Sequence, residues 1–489
     1  MATVATPEKG AEPPDLPPVR SPLRGGRGTL VVVGLLFLVV QLVLVPRPLG
    51  LATDEATYLA MVDPSVPELY WSSSRAWGVP VLAAPIAVFS PGLGVIRLYF
   101  SVLSSCLLIL AFWPWLRILH PAVAPLAALL FSTTWFTVWF GPLVMPNLYV
   151  ALFAVAVIGL FLRCVQDPRW WRAALVATAA ALVALVRPTD SVLVIVPIFV
   201  CALVVPRLRR LGALGAVAVG ELLGWLPWVM EAYARFGGPL ARLRSGESAG
   251  PGGLHVSLAN VQIYPRLLDG IPTYCCQRGS LADAGPLPLL PTLWLVAIPM
   301  VSAVGLLLAA RQRRLPELLL VCVPAGLLAA FYLLLPSFTA LRFLLPVFAL
   351  LSLAVAGALV SMIQLSQGKR RKAVAAVIAV GLVAHVGPML YKADGMLHRM
   401  GTVRTPAIRI AAAIRPLIGG RPCLLVGAAP QALGYYLGCE VQTVRRPSRR
   451  PPARVRSATA RGLVRVAVLR KAPPPGSYLD DERDESIPA

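Results

Sequence analysis

Asp54 and Glu55 stand side by side in "GLATDEATYLAMV", the first polar stretch after the first long apolar run of the chain. A carboxylate at such a boundary can take a proton from an attacking hydroxyl. A plainer role is also open: Thr53 or Asp54 could cap a short helix through Met61, with acids favoured near its positive end. Five arginines lie at or near the ends of apolar runs on the same side: Arg47, Arg75, Arg97, Arg187 and Arg342. A charge at membrane depth costs several kcal/mol unless it snorkels to the headgroups, so each could be an anchor by itself. Together with two acids they are the makeup expected of a site for a phosphorylated lipid, because arginine grips phosphate oxygens through paired, charge-assisted hydrogen bonds. Glu221, near mid-depth in "AVGELLGWLPW", is a further candidate, either for an ion or proton relay or for a structural pair with an arginine.

The elements that would position these groups are membrane helices. Of the 489 residues 57% are hydrophobic and 14% charged, with a mean hydropathy of +0.74. Apolar runs fall at 30–45, 93–116, 122–141, 148–163, 173–187, 190–205, 212–231, 288–309, 316–335, 341–363 and 373–391, which predicts an all-α polytopic membrane protein with about eleven spans. The net charge of +23 could suit nucleic acid, but the cations cluster in short loops between runs, as expected of loops facing anionic lipid. Arg117, Arg163, Arg169, Arg172, Arg207, Arg209, Arg210, Arg311, Arg313, Arg314 and the 369–372 cluster all fall on one side of this count. That side is expected to be the cytoplasm, so the N-terminus is cytoplasmic and Asp54 faces outward. Val79 to Phe89 is too short to span and contains Pro80 and Pro85, which predicts an interfacial or re-entrant helix.

Residues 1–28 read as a disordered cytoplasmic tail, 29–391 as the membrane domain with outer loops 50–92 and 232–287, and 476–489 as a disordered acidic tail. Within 392–475, "RPCLLVGAAPQALGYYLGCEVQ" reads as strand, turn, short helix and strand, and "GLVRVAVLRK" as another strand, which predicts a small extracytoplasmic α/β appendage. Cys275, Cys276, Cys423 and Cys439 fall in segments placed outside, where a disulfide can form. No spacing of cysteine or histidine indicates zinc.

"TDEATYLAM" resembles the acidic motif of GT-C-type membrane glycosyltransferases, nearest to the family-39 group that includes protein O-mannosyltransferases and the lipid A aminoarabinose transferase. "VPVLAAPIAVFSPGLGVIRLYFSVLSS", "ALVRPTDSVLVIVP", "LGWLPWVMEAYARFGGPL" and "LRFLLPVFALLSL" follow in the order of that group, over residues 30–365. The resemblance implies transfer of a hexosyl or pentosyl group from a polyprenyl-phosphate carrier to a hydroxyl on a protein, glycolipid or wall polymer. It carries the general-base role to Asp54, with Glu55 beside it, and the carrier phosphate to Arg97, Arg187 and Arg342; Arg75 joins them as a phosphate candidate from its place in the first outer loop. The sequence departs from the group at "GPLVMPNLY", which has Asn147 where relatives often carry a carboxylate nearby, and at "RAWGVPVL", where a histidine–proline pair is common. Some members of the superfamily use a divalent cation, for which Asp54, Glu55, Asp63 and Glu68 could supply oxygens. Two other classes fit the membrane pattern: a transporter or flippase using Glu221 and Arg97, and a silent envelope scaffold.

Overall fold

The computed structural model describes residues 23–69, 72–249, 256, 258–270, 285–336, 339–427, 430–444 and 452–468. Helices α1 (Leu23–Leu44), α2 (Thr53–Leu59), α3 (Gly78–Ala87) and α4 (Leu93–Phe112) open the chain. The helix α1 begins inside the stretch expected as tail: "LRGGRG" precedes the apolar run and is wound as its first turns. A short apolar helix stands where the Val79 to Phe89 segment was expected, with Pro85 inside α3.

Next come α5 (Val123–Ser132), α6 (Trp135–Phe140), α7 (Pro146–Gln166), α8 (Trp170–Val186), α9 (Pro188–Val204) and α10 (Leu211–Phe236). The run at 122–141 is not one span. Thr134 is extended between α5 and α6, and its hydroxyl bonds the Phe131 carbonyl and the Thr137 side chain, a local alternative to helix continuation. Beyond them lie α11 (Pro239–Ala249), α12 (Ala259–Leu268), α13 (Leu289–Arg311), α14 (Leu315–Leu334) and α15 (Leu345–Leu365). Then follow α16 (Gly368–Ile418), β1 (Cys423–Gly427), α17 (Gln431–Leu437), β2 (Glu440–Thr443), α18 (Ala453–Ala460) and β3 (Val464–Val468). Eight of these helices are long and apolar enough to cross a membrane, while α5, α8 and α9 are apolar but shorter. The chain is a multi-pass membrane protein.

Burial orders the bundle. The apolar windows of α7 and α15 are each 83% buried, so these two helices form its axis, whereas α13 at 17% and α16 at 0% lie at the periphery. Pairing of α8 with α10 depends on Gly220 and Gly224, where a methyl group would sit 2.1 Å from the Ala177 carbonyl and 2.3 Å from that of Ala181. Small residues four apart let helix backbones approach in the absence of a hydrophobic driving force. The arginine-rich loops gather at one end: Arg207 meets Glu317 at 3.2 Å, and Arg314 donates to the Ile118 carbonyl. The loops after α1, α8 and α14 meet at the other.

The α/β unit is real but smaller than 392–475. The helix α16 runs unbroken from its apolar window through Pro388 and Pro406 to Ile418, so hydropathy falls at Lys392 while the backbone does not change. The three strands form a parallel sheet in the order β2-β1-β3. Cys423 and Cys439 are joined in a disulfide across the β1–β2 crossover; Cys275 and Cys276 lie outside the described residues. Leu425, Leu433 and Val441 pack into the main core, which fixes the unit to the bundle rather than leaving it tethered.

Candidate active site

The seven-residue helix α2 turns its two acids in different directions. Successive residues on a helix are about 100° apart, and here one carboxylate faces a cavity and the other faces the protein. The Glu55 side chain is fully buried. Its Oε1 receives a hydrogen bond from Arg97 and one from the Val144 amide at 2.9 Å, while Oε2 takes the Arg404 guanidinium at 2.8 Å, Arg97 Nη2 at 3.1 Å and the Ala52 amide at 2.9 Å. Burial pushes this carboxyl up, but Arg97 and Arg404 outweigh it and hold the group below its ordinary value. A carboxylate with every lone pair engaged has none left for a substrate, so Glu55 is a strut, contrary to its expected place beside the base.

Arg97 is the second correction. Its five N–H groups go to Glu55 twice and to the carbonyls of Leu49, Pro142 and Gly50. No donor remains for a phosphate. Acid and arginine together lock the segment before α2 to the turn before α7. Gly50 shows how tight that lock is: a methyl there would lie 2.6 Å from the Arg404 carbonyl oxygen, a backbone atom that cannot step aside. Gly50→Ala is therefore expected to cost about 1–3 kcal/mol of stability, read as a lowered melting temperature of the detergent-solubilised protein.

Asp54 is the exposed member, with 38% of its side chain accessible. Arg75 Nη2 donates to Oδ1 at 2.7 Å, and Arg342 Nη2 lies 3.8 Å from Oδ2. Arg75 is committed to this bond and lies over the Tyr58 ring at 5.6 Å, so it orients the acid. Burial pushes the Tyr58 hydroxyl above its ordinary value. Arg342 comes from the turn Leu341–Leu344 that starts α15, and its reach to Asp54 is long enough to leave it available. Arg187 points elsewhere: it pairs with Asp190 at 3.2 Å, donates to the Tyr332 hydroxyl at 2.8 Å and lies 5.2 Å from the centre of the Phe343 ring. The Arg342 guanidinium lies over that same ring at 5.4 Å, so Arg187 stands one ring away from the site rather than in it. Arg47 is exposed and bonds only the Leu42 carbonyl among the described residues.

The cavity beside Asp54 measures about 470 Å³. Trp135, Phe136, Trp139 and Phe140 of α6 form one wall, Met396, Met400 and Val403 of α16 another, and Asp54, Arg342, Arg399 and Arg404 bring the charge. Arg399 is exposed, and its side chain makes no hydrogen bond or ion pair among the described residues. Arg399 and Arg404 are absent from the sequence expectations because they fall past the drop in hydropathy, in a stretch assigned to the appendage. Glu221 does not line the cavity; its Oε1 accepts from Ser191 and Trp225 Nε1, between α9 and α10.

The appendage closes the site from above. Tyr436 Oη accepts the Leu51 amide at 2.6 Å, three residues before Asp54, and Ala432 lines the cavity. Tyr435 donates to Asp63 at 2.7 Å, and Ser65 and Ser90 bond the same carboxylate. Burial raises that carboxyl, yet the bonds from Ser90, Ser65 and Tyr435 hold it below its ordinary value. The acids offered for a divalent cation are thus engaged apart: Glu55 by arginines, Asp63 by hydroxyls and Glu68 by Arg235. Among the described residues no three His, Cys, Asp or Glu side chains are grouped as a metal site, so the donor set does not fit one.

Solved structures share this arrangement of helices. ArnT from Cupriavidus metallidurans bound to undecaprenyl phosphate superposes with a TM-score of 0.55 at 17% identity, over 90% of this chain and 89% of that one. The chain has the fold of the GT-C membrane glycosyltransferases. The Archaeoglobus fulgidus oligosaccharyltransferase in the apo form aligns at TM-score 0.53 and 13% identity, over 86% of this chain and 64% of its own length. Its complex with an inhibitory peptide and a dolichol-phosphate aligns at TM-score 0.53 and 12% identity, again over 86% and 64%. No protein-family model matches the sequence, and no curated protein matches it significantly.

Proposed function

We propose that this GT-C fold transfers a sugar from a polyprenyl-phosphate carrier to a hydroxyl acceptor on the outer face of the cytoplasmic membrane. The observation that carries the reading is Asp54 in the lining of a cavity that has an aromatic wall from α6, a methionine-bearing wall from α16, and Arg342 and Arg399 among its lining residues. An isoprenoid tail suits the apolar walls, and its phosphate suits the guanidinium groups. The acceptor hydroxyl attacks the anomeric carbon and gives its proton to Asp54 Oδ2, the oxygen that Arg75 leaves free. The bond from that carbon to the phosphate oxygen breaks, and polyprenyl phosphate leaves with the electron pair, its charge met by Arg342 and Arg399. The structures of similar fold that hold undecaprenyl phosphate and dolichol-phosphate support the donor class.

Two independent signs support the outward orientation. Basic loops collect at the end opposite Asp54, as expected of a cytoplasmic face. The Cys423–Cys439 disulfide at the Asp54 end suits an oxidising compartment.

Arg342→Gln is expected to weaken the donor by roughly 10- to 100-fold in KM, the worth of one charge-assisted hydrogen bond, with the protein still folded. Kinetics with a polyprenyl-phosphate sugar check it, and an unchanged KM removes Arg342 from the phosphate. The reading as a whole is tested by mass analysis of envelope glycans from a deletion strain. Loss of one sugar from one acceptor identifies both; an unaltered glycan profile contradicts transfer.

A further inference from the structure

A second cavity, of about 580 Å³, lies between the first loop and the appendage and has no part in the transfer step. Arg415 and Arg421 at the end of α16 line it together with Ser65, Gly438 and Glu440. Glu440 is already neutralised: Arg461 clasps both its oxygens at 2.7 and 3.0 Å, and Arg454 Nε lies 3.6 Å away. Arg415 and Arg421 are thus not spent on that carboxylate, which pairs with Arg461 and Arg454. Arg415 gives one bond to the Tyr436 carbonyl at 2.7 Å, and Arg421 bonds the Ile418 and Leu417 carbonyls at 3.2 and 3.5 Å. A guanidinium has five N–H groups, so both keep donors for a ligand. The wall is rigid, because Cys423 in the lining is tied to Cys439.

Helical register links this cleft to the Asp54 cavity. Arg404 and Arg415 are eleven residues apart on α16, about three turns, which puts them on the same face and about 16 Å apart along the axis. The short helix α17 separates the two openings, with Ala432 in the first lining and Leu437 in the second. The charge of the described residues there is one-sided: within 392–427, 430–444 and 452–468 stand ten Lys and Arg against two acids, Asp394 and Glu440. Lipid headgroups are a poor match. Arg415 lies 25 residues past Leu390, where the apolar stretch of α16 ends. That is about 37 Å along the helix, against a headgroup layer of roughly 5–8 Å per leaflet.

We infer that the cleft lined by Arg415 and Arg421 binds anionic groups, phosphate or carboxylate, of a polymeric acceptor whose chain runs past α17 to Asp54. That the polymer is the acceptor rests on the transfer reading; the anion site does not.

The test is fluorescence anisotropy on the full-length protein in detergent, with labelled linear polyphosphate and a labelled neutral dextran of matched length. Polyphosphate is expected to bind, to weaken with added salt, and to lose at least tenfold in affinity in Arg415→Gln/Arg421→Gln. Arg421→Gln alone, which gives up only bonds to carbonyls at the end of α16, is expected to show part of that loss with an unchanged melting temperature. Equal affinity in wild type and both variants overturns the site, as does dextran binding as tightly as polyphosphate. Loss of polyphosphate binding in phosphatidylglycerol nanodiscs, but not in neutral ones, overturns the polymer in favour of a lipid headgroup. No donor and no turnover are needed, so a protein that binds polyphosphate normally yet transfers no sugar overturns the transfer reading alone.

Discussion

Asp54→Asn is expected to lower sugar transfer by about 100- to 10,000-fold, the usual worth of a positioned general base, without loss of folded protein. The amide keeps an oxygen for Arg75, whose bond to Oδ1 at 2.7 Å orients the side chain, and the half-exposed position carries little burial to lose. What disappears is the basic oxygen facing Arg342. The measurement is turnover of a polyprenyl-phosphate sugar alongside a thermal melt. Wild-type turnover in this variant removes the base role, and a collapsed melt would transfer Asp54 to the scaffold.

The neighbouring residue is expected to behave in the opposite way. Glu55→Ala leaves the Arg97 and Arg404 guanidinium groups uncompensated, together with the amides of Ala52 and Val144. Breaking a buried ion pair by removing one partner costs about 3–5 kcal/mol. The expected result is a large fall in melting temperature and in the amount of protein recovered from the membrane, with activity lost as a consequence. Glu55→Ala with a wild-type melt and no transfer would instead give Glu55 a chemical role. Two adjacent carboxylates of one motif thus separate by measurement into one that reacts and one that holds.

That division was not legible in the sequence. Position relative to the apolar runs was enough to bring out Asp54, Glu55 and Arg342, because charges at run ends are costly and few. The same cost picks out Arg97 without saying what satisfies it. Its acceptors, the Leu49, Gly50 and Pro142 carbonyls, are backbone groups some 45 residues away on either side, and no pattern of side chains reports them. Arg399 and Arg404 were hidden for a different reason: hydropathy marks where α16 leaves the apolar layer, and backbone continuity past Lys392 leaves no trace in it. The break between α5 and α6 was likewise invisible, since Thr133 and Thr134 are apolar enough in context to pass for span. The strands of the appendage were legible because each is a short apolar run bounded by turn residues.

The helix α16 is one rod of 51 residues whose apolar window lies at the edge of the bundle, held to it through His385 against Trp294 and the Leu130 carbonyl, and whose far part presses Arg404 against Glu55. A bilayer thinner or thicker than the window makes such a rod lean. Because the same rod is tied through Arg404 to Glu55, next to Asp54, its lean is expected to change the spacing between Asp54 and the cavity walls. The thickness of the surrounding membrane is in this sense one of the walls of the site.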